Sequence, residues 1–148
     1  MPMNVCTVHR TADGLVISLP AEVDAANAAQ VREELLRALN RAPAVLVVEM
    51  TGTLFCDVAG IHALLRARRA ATAVTSLRVA AGTPSVQRVL QLTLADHLLA
   101  IYPSLDAALA GTPASAGHGA AVPARSRDGR RTAATPAGPA EQLGRSPR

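Results

Sequence analysis

Apolar and polar positions along residues 5–110 follow strand and helix spacing in turn. Residues 45–48 form an apolar run without alternation, which favours a strand covered on both faces. Further on, apolar side chains recur at helical spacing at Ile61, Leu64 and Leu65. We therefore predict a buried strand, a short loop and a helix within residues 44–71, and we expect the rest of the fold to be built around this unit.

The same patterns predict a hairpin before this unit and strand–helix pairs after it. Residues 5–9 and 14–19 alternate on either side of Asp13-Gly14, a frequent hairpin turn. Short strands are predicted at residues 77–81 and 98–101. Helices are predicted over residues 25–40, 85–91 and up to residue 110, with N-caps at Asp24, Thr83 and Ser104. This order indicates an α/β fold with a small mixed β-sheet of four to five strands and about four helices.

The loop of residues 51–57 joins the central strand to the central helix. Asp57 stands where an N-cap is expected, because its carboxylate can accept from the free N–H groups two and three residues further on. In α/β sheets, function commonly resides in such loops, where a helix N-terminus supplies backbone donors. We therefore expect the functional surface at this loop.

Composition changes abruptly after residue 110. Residues 111–148 are mainly Ala, Pro, Gly, Ser, Thr and Arg, with six arginines against Asp128 and Glu141. We predict one domain over residues 1–110 and a disordered tail over residues 111–148, since the tail has little apolar surface to bury. The domain has nine basic and nine acidic side chains, so it shows no bias towards nucleic acid. For the tail we expect at most weak, salt-dependent contacts.

Several other classes of protein are disfavoured. Cys6 and Cys56 give no disulfide framework, and the four histidines are too scattered for metal-ligand spacing, so we expect no metal and no cofactor. The chain has no secretory signal and no apolar run long enough to span a bilayer, which predicts a cytoplasmic protein without membrane contact.

An enzymatic interpretation would use Cys56 as a thiol nucleophile beside Asp57, with His62 as its base. No third group is evident that would orient His62, and free cysteines are commonly core residues. We therefore expect Cys56 to be buried and the protein not to be an enzyme. Likewise, we interpret the cluster Arg66, Arg68 and Arg69 as a solvated helix face rather than a binding site.

The sequence resembles the STAS domain family, of the anti-sigma factor antagonist type, over roughly residues 3–110. The resemblance is carried by residues 16–19, 22–24, 47–50, 55–60, 79–80 and 86–90. In the family, a serine in an Asp-Ser-Ser-Gly motif at the start of the central helix is phosphorylated. Asp57 and Gly60 match this motif, but Val58 and Ala59 replace its two serines. Pro20 and Ala21 also depart from the family pattern.

The resemblance implies a domain that binds an anti-sigma factor with a histidine-kinase-like fold and thereby frees a sigma factor. Because valine has no hydroxyl, we predict binding without the usual phosphorylation switch at Val58; Thr51 and Thr53 are the remaining candidate acceptors in the loop. The expected partner-binding residues are Glu22, Asp24, Thr53, Asp57, Val58, Ala59, Gly60 and His62. The alternative function is that of a STAS subunit packed on the ATPase of an ABC-type lipid-transport complex.

Overall fold

Seven strands and four helices follow one another in the computed structural model, which describes residues 4–111. The strands are β1 (Thr7–Arg10), β2 (Gly14–Ser18), β3 (Glu22–Val23), β4 (Val45–Glu49), β5 (Phe55–Cys56), β6 (Ser76–Ala80) and β7 (Ala100–Tyr102). The helices are α1 (Ala28–Asn40), α2 (Val58–Ala70), α3 (Pro84–Leu92) and α4 (Leu105–Ala110), with a 3₁₀ turn at Ala95–His97. Beyond Gly111, the predicted tail lies outside the described residues.

Five of the strands form one mixed sheet in the order β1-β2-β4-β6-β7. β1 pairs antiparallel with β2, as the predicted hairpin requires, and the other three pairings are parallel. The predicted α/β class, mixed sheet and four helices are therefore confirmed. Strands β3 and β5 form a separate parallel pair that the sequence pattern did not predict.

The central strand β4 is covered on both faces, as its unbroken apolar run predicts. Leu46 and Val48 are fully buried in the larger core, which includes side chains of α1 and α2. Val47 is equally buried on the other face, in a smaller cluster with Ala108 of α4. Because side chains on both faces of β4 are packed in buried clusters, this strand fixes the position of the loop that follows it.

Two strand boundaries differ from the prediction because backbone donors are used elsewhere. β1 begins at Thr7 rather than residue 5, since the N–H groups of Val5 and Cys6 donate to the Glu34 carboxylate of α1, each at 3.0 Å. β7 begins at Ala100 rather than residue 98, since the N–H groups of residues 98 and 99 both donate to the Ala95 carbonyl.

Helix α1 begins at Ala28, so its predicted start at residue 25, with Asp24 as N-cap, is wrong. The Asp24 side chain instead accepts from the N–H of Ala26 at 2.9 Å, in a turn before the helix. Asn27 reaches back, accepting from the Asp24 N–H and donating to the Glu22 carbonyl. This turn holds the segment from Glu22 to Asn27 in a fixed shape, with β3 at its start.

The predicted caps of the last two helices differ in outcome. Thr83 occupies the N-cap position of α3 but makes no side-chain cap bond, because its hydroxyl donates to the Thr53 carbonyl at 2.9 Å. Ser104 caps α4 as predicted, accepting from the Ala107 N–H at 3.0 Å. Thr83 therefore connects α3 to the loop before β5 instead of closing its own helix.

Candidate functional site

The β3–β5 pair brings the two segments of the expected binding surface side by side. The Ala21 carbonyl accepts from the N–H of Leu54 at 2.8 Å, and the Asp57 N–H donates to the Val23 carbonyl at 3.0 Å. Pro20 and Ala21, which differ from the family pattern, therefore do not prevent β3 and β5 from pairing. As a result, the acidic segment containing Glu22 lies next to the start of α2.

Asp57 is the N-cap of α2, as predicted from its position before the helix. One of its carboxylate oxygens accepts from the N–H groups of Ala59 at 2.9 Å and Gly60 at 3.3 Å. Its own backbone is extended, which is the usual geometry of a capping residue. Asp57 therefore has a structural role in starting the helix, whatever it contacts outside the domain.

Val58 is the first helical residue, and its side chain is 51% exposed. His62, one turn later on the same face, is exposed, and Ala59 beside it is half-buried. Of the acidic residues on the neighbouring segment, Glu22 is exposed and Asp24 half-buried. The start of α2 thus presents an aliphatic side chain next to a segment that carries carboxylates.

Two residues predicted to contact a partner are buried instead. Thr53 has no exposed surface, and its hydroxyl donates to the Pro20 carbonyl at 2.9 Å, so it is placed neither for contact nor for phosphorylation. Gly60 is also buried, with Cys56 Sγ and Val23 Cγ1 only 2.6 and 2.7 Å from where its Cβ would be. Gly60 therefore allows α2 to approach the β3–β5 pair closely, and its role is in packing.

Two exposed apolar residues of the predicted functional loop were not among the expected partner-binding residues. Leu54 is 65% exposed and Phe55 is 50% exposed, just before Cys56 and Asp57. A leucine and the chain's single phenylalanine in a loop of otherwise small or polar residues were the available signal. Together with Val58, they make the start of α2 the most apolar part of this surface.

The Cys56 thiol is buried, as expected, and unsuited to nucleophilic attack. Burial raises the pKa of this thiol to about 11, and the neighbouring Asp57 carboxylate adds to the effect. Because the thiolate is the reactive form, a raised pKa makes it scarce near neutral pH. His62 is exposed on α2, whereas Cys56 packs in the core.

Within residues 4–111, no three His, Cys, Asp or Glu side chains are grouped in a way that could hold a metal ion. None of the helices in this range combines the length and apolar content needed to cross a bilayer.

The model of the STAS domain family matches residues 5–108. This chain belongs to the STAS domain family. A search of curated proteins found no match. The family membership and the fold agree with the resemblance carried by the strand, loop and helix motifs.

Solved structures of several anti-sigma factor antagonists share this fold. An anti-sigma factor antagonist from Mycobacterium paratuberculosis is 24% identical, with a TM-score of 0.69 over 72% of this chain and 92% of the other. An anti-sigma-factor antagonist (STAS) domain protein from Planctomyces limnophilus is 22% identical, with a TM-score of 0.66 over 75% of this chain and 99% of the other. The anti-sigma factor antagonist SpoIIAA in its unphosphorylated form is 18% identical, with a TM-score of 0.57 over 70% of this chain and 92% of the other. At these identities, the likeness establishes the fold alone.

Proposed function

We propose that this STAS domain is an anti-sigma factor antagonist that binds an anti-sigma factor with a histidine-kinase-like fold. We define its docking face as Glu22, Asp24, Asp57, Val58, Ala59 and His62. Similarity to solved structures described as anti-sigma factor antagonists supports this proposal. Thr53 and Gly60 are left out of the docking face because both are buried.

The observation that carries the proposal is the exposed side chain of Val58 at the first turn of α2. An apolar centre with a charged rim is a common composition for reversible protein interfaces. Here the centre is aliphatic, and carboxylates of Glu22 and Asp24 stand on the adjoining segment. Because Val58 has no hydroxyl, we propose that binding at this face is not controlled by phosphorylation at this position.

The test is capture of the partner by the full chain and by its Val58→Asp variant. A new carboxylate at the first helical position is favourable for the helix itself, so the variant should fold. At the centre of an interface, the same charge would lose its water without gaining a partner, which should weaken capture at least about tenfold. Captured proteins would be identified by mass spectrometry.

The matched control is Val74→Asp, since Val74 is also exposed but lies in the loop after α2. Capture of an anti-sigma factor that is lost only with Val58→Asp supports the proposal. Equal capture by both variants would contradict the docking face. Capture of a transport ATPase in place of an anti-sigma factor would contradict the function and favour the lipid-transport alternative.

A second variant, Val58→Ser, restores a hydroxyl at the position of the usual phosphorylated serine. Incubation with the captured anti-sigma factor and ATP, followed by intact mass measurement, would show whether this hydroxyl accepts a phosphate. We expect phosphate on Val58→Ser and none on the native chain. Phosphate on the native chain within residues 51–62 would contradict the proposed loss of the switch.

A further inference from the structure

Leu54 and Phe55 have exposed side chains although their backbone is held in place. The Leu54 side chain is 65% exposed and the Phe55 side chain is 50% exposed. Their N–H groups both donate to the Ala21 carbonyl, at 2.8 and 3.2 Å. Neither side chain is among those that form the buried core. Two large apolar side chains therefore project from an ordered backbone without the stabilisation that burial would give them.

Phe55 lies directly beside a residue of the docking face. In the parallel β3–β5 pair, Phe55 is the register partner of Glu22, and both residues are exposed. The next pair in register, Val23 and Cys56, is buried, as expected when successive residues of a strand point to opposite sides. Neighbouring strands are about 4.8 Å apart, so Phe55 and Glu22 are immediate neighbours on the exposed side of this pair.

Two hydroxyl groups at the start of α3 hold the same segment from its other side. The Ser85 hydroxyl donates to the Leu54 carbonyl at 2.9 Å, and the Thr83 hydroxyl donates to the Thr53 carbonyl at 2.9 Å. The Leu54 peptide groups are thus bonded to the segment before β3 on one side and to α3 on the other. These bonds fix the backbone from which Leu54 projects.

The start of α3 uses its hydroxyl groups on the loop rather than on its own helix. Thr83 is the N-cap residue, yet α3 has no side-chain cap bond. Ser85 is exposed, and its hydroxyl bonds to a residue 31 positions earlier in the chain. The helix therefore lacks the stabilisation that a capping bond supplies, and the loop gains order instead.

We propose that Leu54 and Phe55 extend the docking face by entering an apolar pocket of the anti-sigma factor, and that Ser85 is the positioning residue that orders them. The inference rests on the proposed function. Aromatic side chains are enriched at protein interfaces. A loop that is ordered before association loses less conformational freedom on binding, so the bond from Ser85 strengthens the interaction without contacting the partner.

The first test measures the affinity of the anti-sigma factor from the capture experiment for the full chain by biolayer interferometry. Leu54→Ser and Phe55→Ser should each weaken binding about tenfold, as expected for apolar residues that fill a pocket in an interface. The matched control is Leu92→Ser, because Leu92 is 72% exposed at the opposite end of α3. This control should bind with native affinity.

The second test separates positioning by Ser85 from a structural role. Ser85→Ala removes the hydroxyl and should weaken binding about threefold, whereas Ser85→Thr keeps a hydroxyl and should restore native affinity. The matched control is Thr93→Val, which removes a hydroxyl that donates to the Val89 and Leu90 carbonyls at the end of α3. A hydroxyl that only stabilised the domain would lower the urea midpoint without changing the affinity.

Amide hydrogen exchange tests the positioning without a partner. The N–H groups of Leu54 and Phe55 should exchange faster in Ser85→Ala, because the loop opens more often when it loses its bond to α3. They should exchange at the native rate in Ser85→Thr and in Thr93→Val. Unchanged exchange in Ser85→Ala would overturn the role of Ser85.

Native affinity in both Leu54→Ser and Phe55→Ser would overturn the inference, and the proposed function would stand if Val58→Asp still weakens capture. Self-association of the chain in analytical ultracentrifugation that Leu54→Ser abolishes would also overturn it, in favour of a second copy. Binding to phosphatidylcholine vesicles that Leu54→Ser abolishes would overturn it in favour of a membrane. Capture of a transport ATPase would contradict the proposed function, and the exchange comparison would still decide the role of Ser85.

Discussion

Gly60 is the residue on which the geometry of the candidate site depends most directly. We predict that Gly60→Ala destabilises the domain by about 1–3 kcal/mol, because the added methyl group would overlap Cys56 Sγ and Val23 Cγ1. The measurement is the urea midpoint of unfolding. In the control Gly52→Ala the methyl group meets no atom within 4 Å, so its midpoint should stay nearly unchanged. Equal midpoints for both variants would contradict the close approach at Gly60.

The raised pKa of the Cys56 thiol predicts how the stability of the domain depends on pH. Burial raises its pKa in the folded domain to about 11, so the neutral thiol is the form that folding favours. Stability from this group is fully present below the pKa of an unfolded cysteine, near 8.5, and falls as pH rises towards 11. We expect the urea midpoint to decrease between pH 8 and pH 10.5.

Cys56→Ala separates this effect from other titrations. The variant should be less stable at pH 8 because it leaves a small cavity, but its midpoint should decrease less steeply with pH. Cys6, whose pKa burial raises to about 12, remains in both proteins and contributes equally to both. Parallel decreases for the native chain and Cys56→Ala would show that Cys56 is not responsible.

Among the elements, α1 has a role that its amphipathic pattern does not reveal. Glu34 is buried, and its carboxylate accepts from the N–H groups of Val5 and Cys6, which attaches the segment before β1 to the helix. Glu34→Ala would leave these donors without their acceptor. We predict a loss of about 2–3 kcal/mol in the free energy of unfolding, measured by urea denaturation.

The neighbouring Glu33 provides the control, because it is exposed on the same helix. Glu33→Ala should change stability by less than about 0.5 kcal/mol. Amide hydrogen exchange gives a local measurement, since the N–H groups of Val5 and Cys6 should lose protection in Glu34→Ala only. Unchanged protection there would contradict the role assigned to Glu34.

Sequence reasoning succeeded for elements with long or strongly apolar patterns. The buried run of β4 and the capping position of Asp57 predicted the unit at the centre of the fold. It failed for β3 and β5, because two-residue strands are too short to show a period. Without that pairing, the sequence could not show that Thr53 faces inward, and so it placed this residue on the binding surface.

The start of α1 illustrates a different limit. Asp24 and Asn27 are both good capping residues, and the sequence does not show which one ends the turn. Asn27 is the residue before the helix because its side chain accepts from the Asp24 N–H and donates to the Glu22 carbonyl. Glu34 was missed for a similar reason, since a glutamate at a helical position is usually solvated unless a distant segment supplies donors. Both failures concern contacts between segments.

At the scale of the whole molecule, charge is distributed unevenly between two parts of the chain. Residues 112–148 have six arginines and two acidic residues, whereas the acidic and basic residues of the preceding part balance. Within that balanced part, α2 and α3 contain four arginines and no acidic residue. Two separate sources of positive charge could therefore retain acidic polymers.

Removal of residues 112–148 distinguishes these two sources. We predict that the full chain binds heparin weakly at low salt and that the shortened chain elutes at clearly lower salt, because counterion release depends on the number of cationic contacts. The urea midpoint should be the same for both, if residues 1–110 form the domain as predicted. Retention that survives removal but is lost in Arg88→Glu would instead assign the basic contacts to α3. In that case, Arg88, rather than the arginines of residues 112–148, would govern how the molecule meets acidic partners.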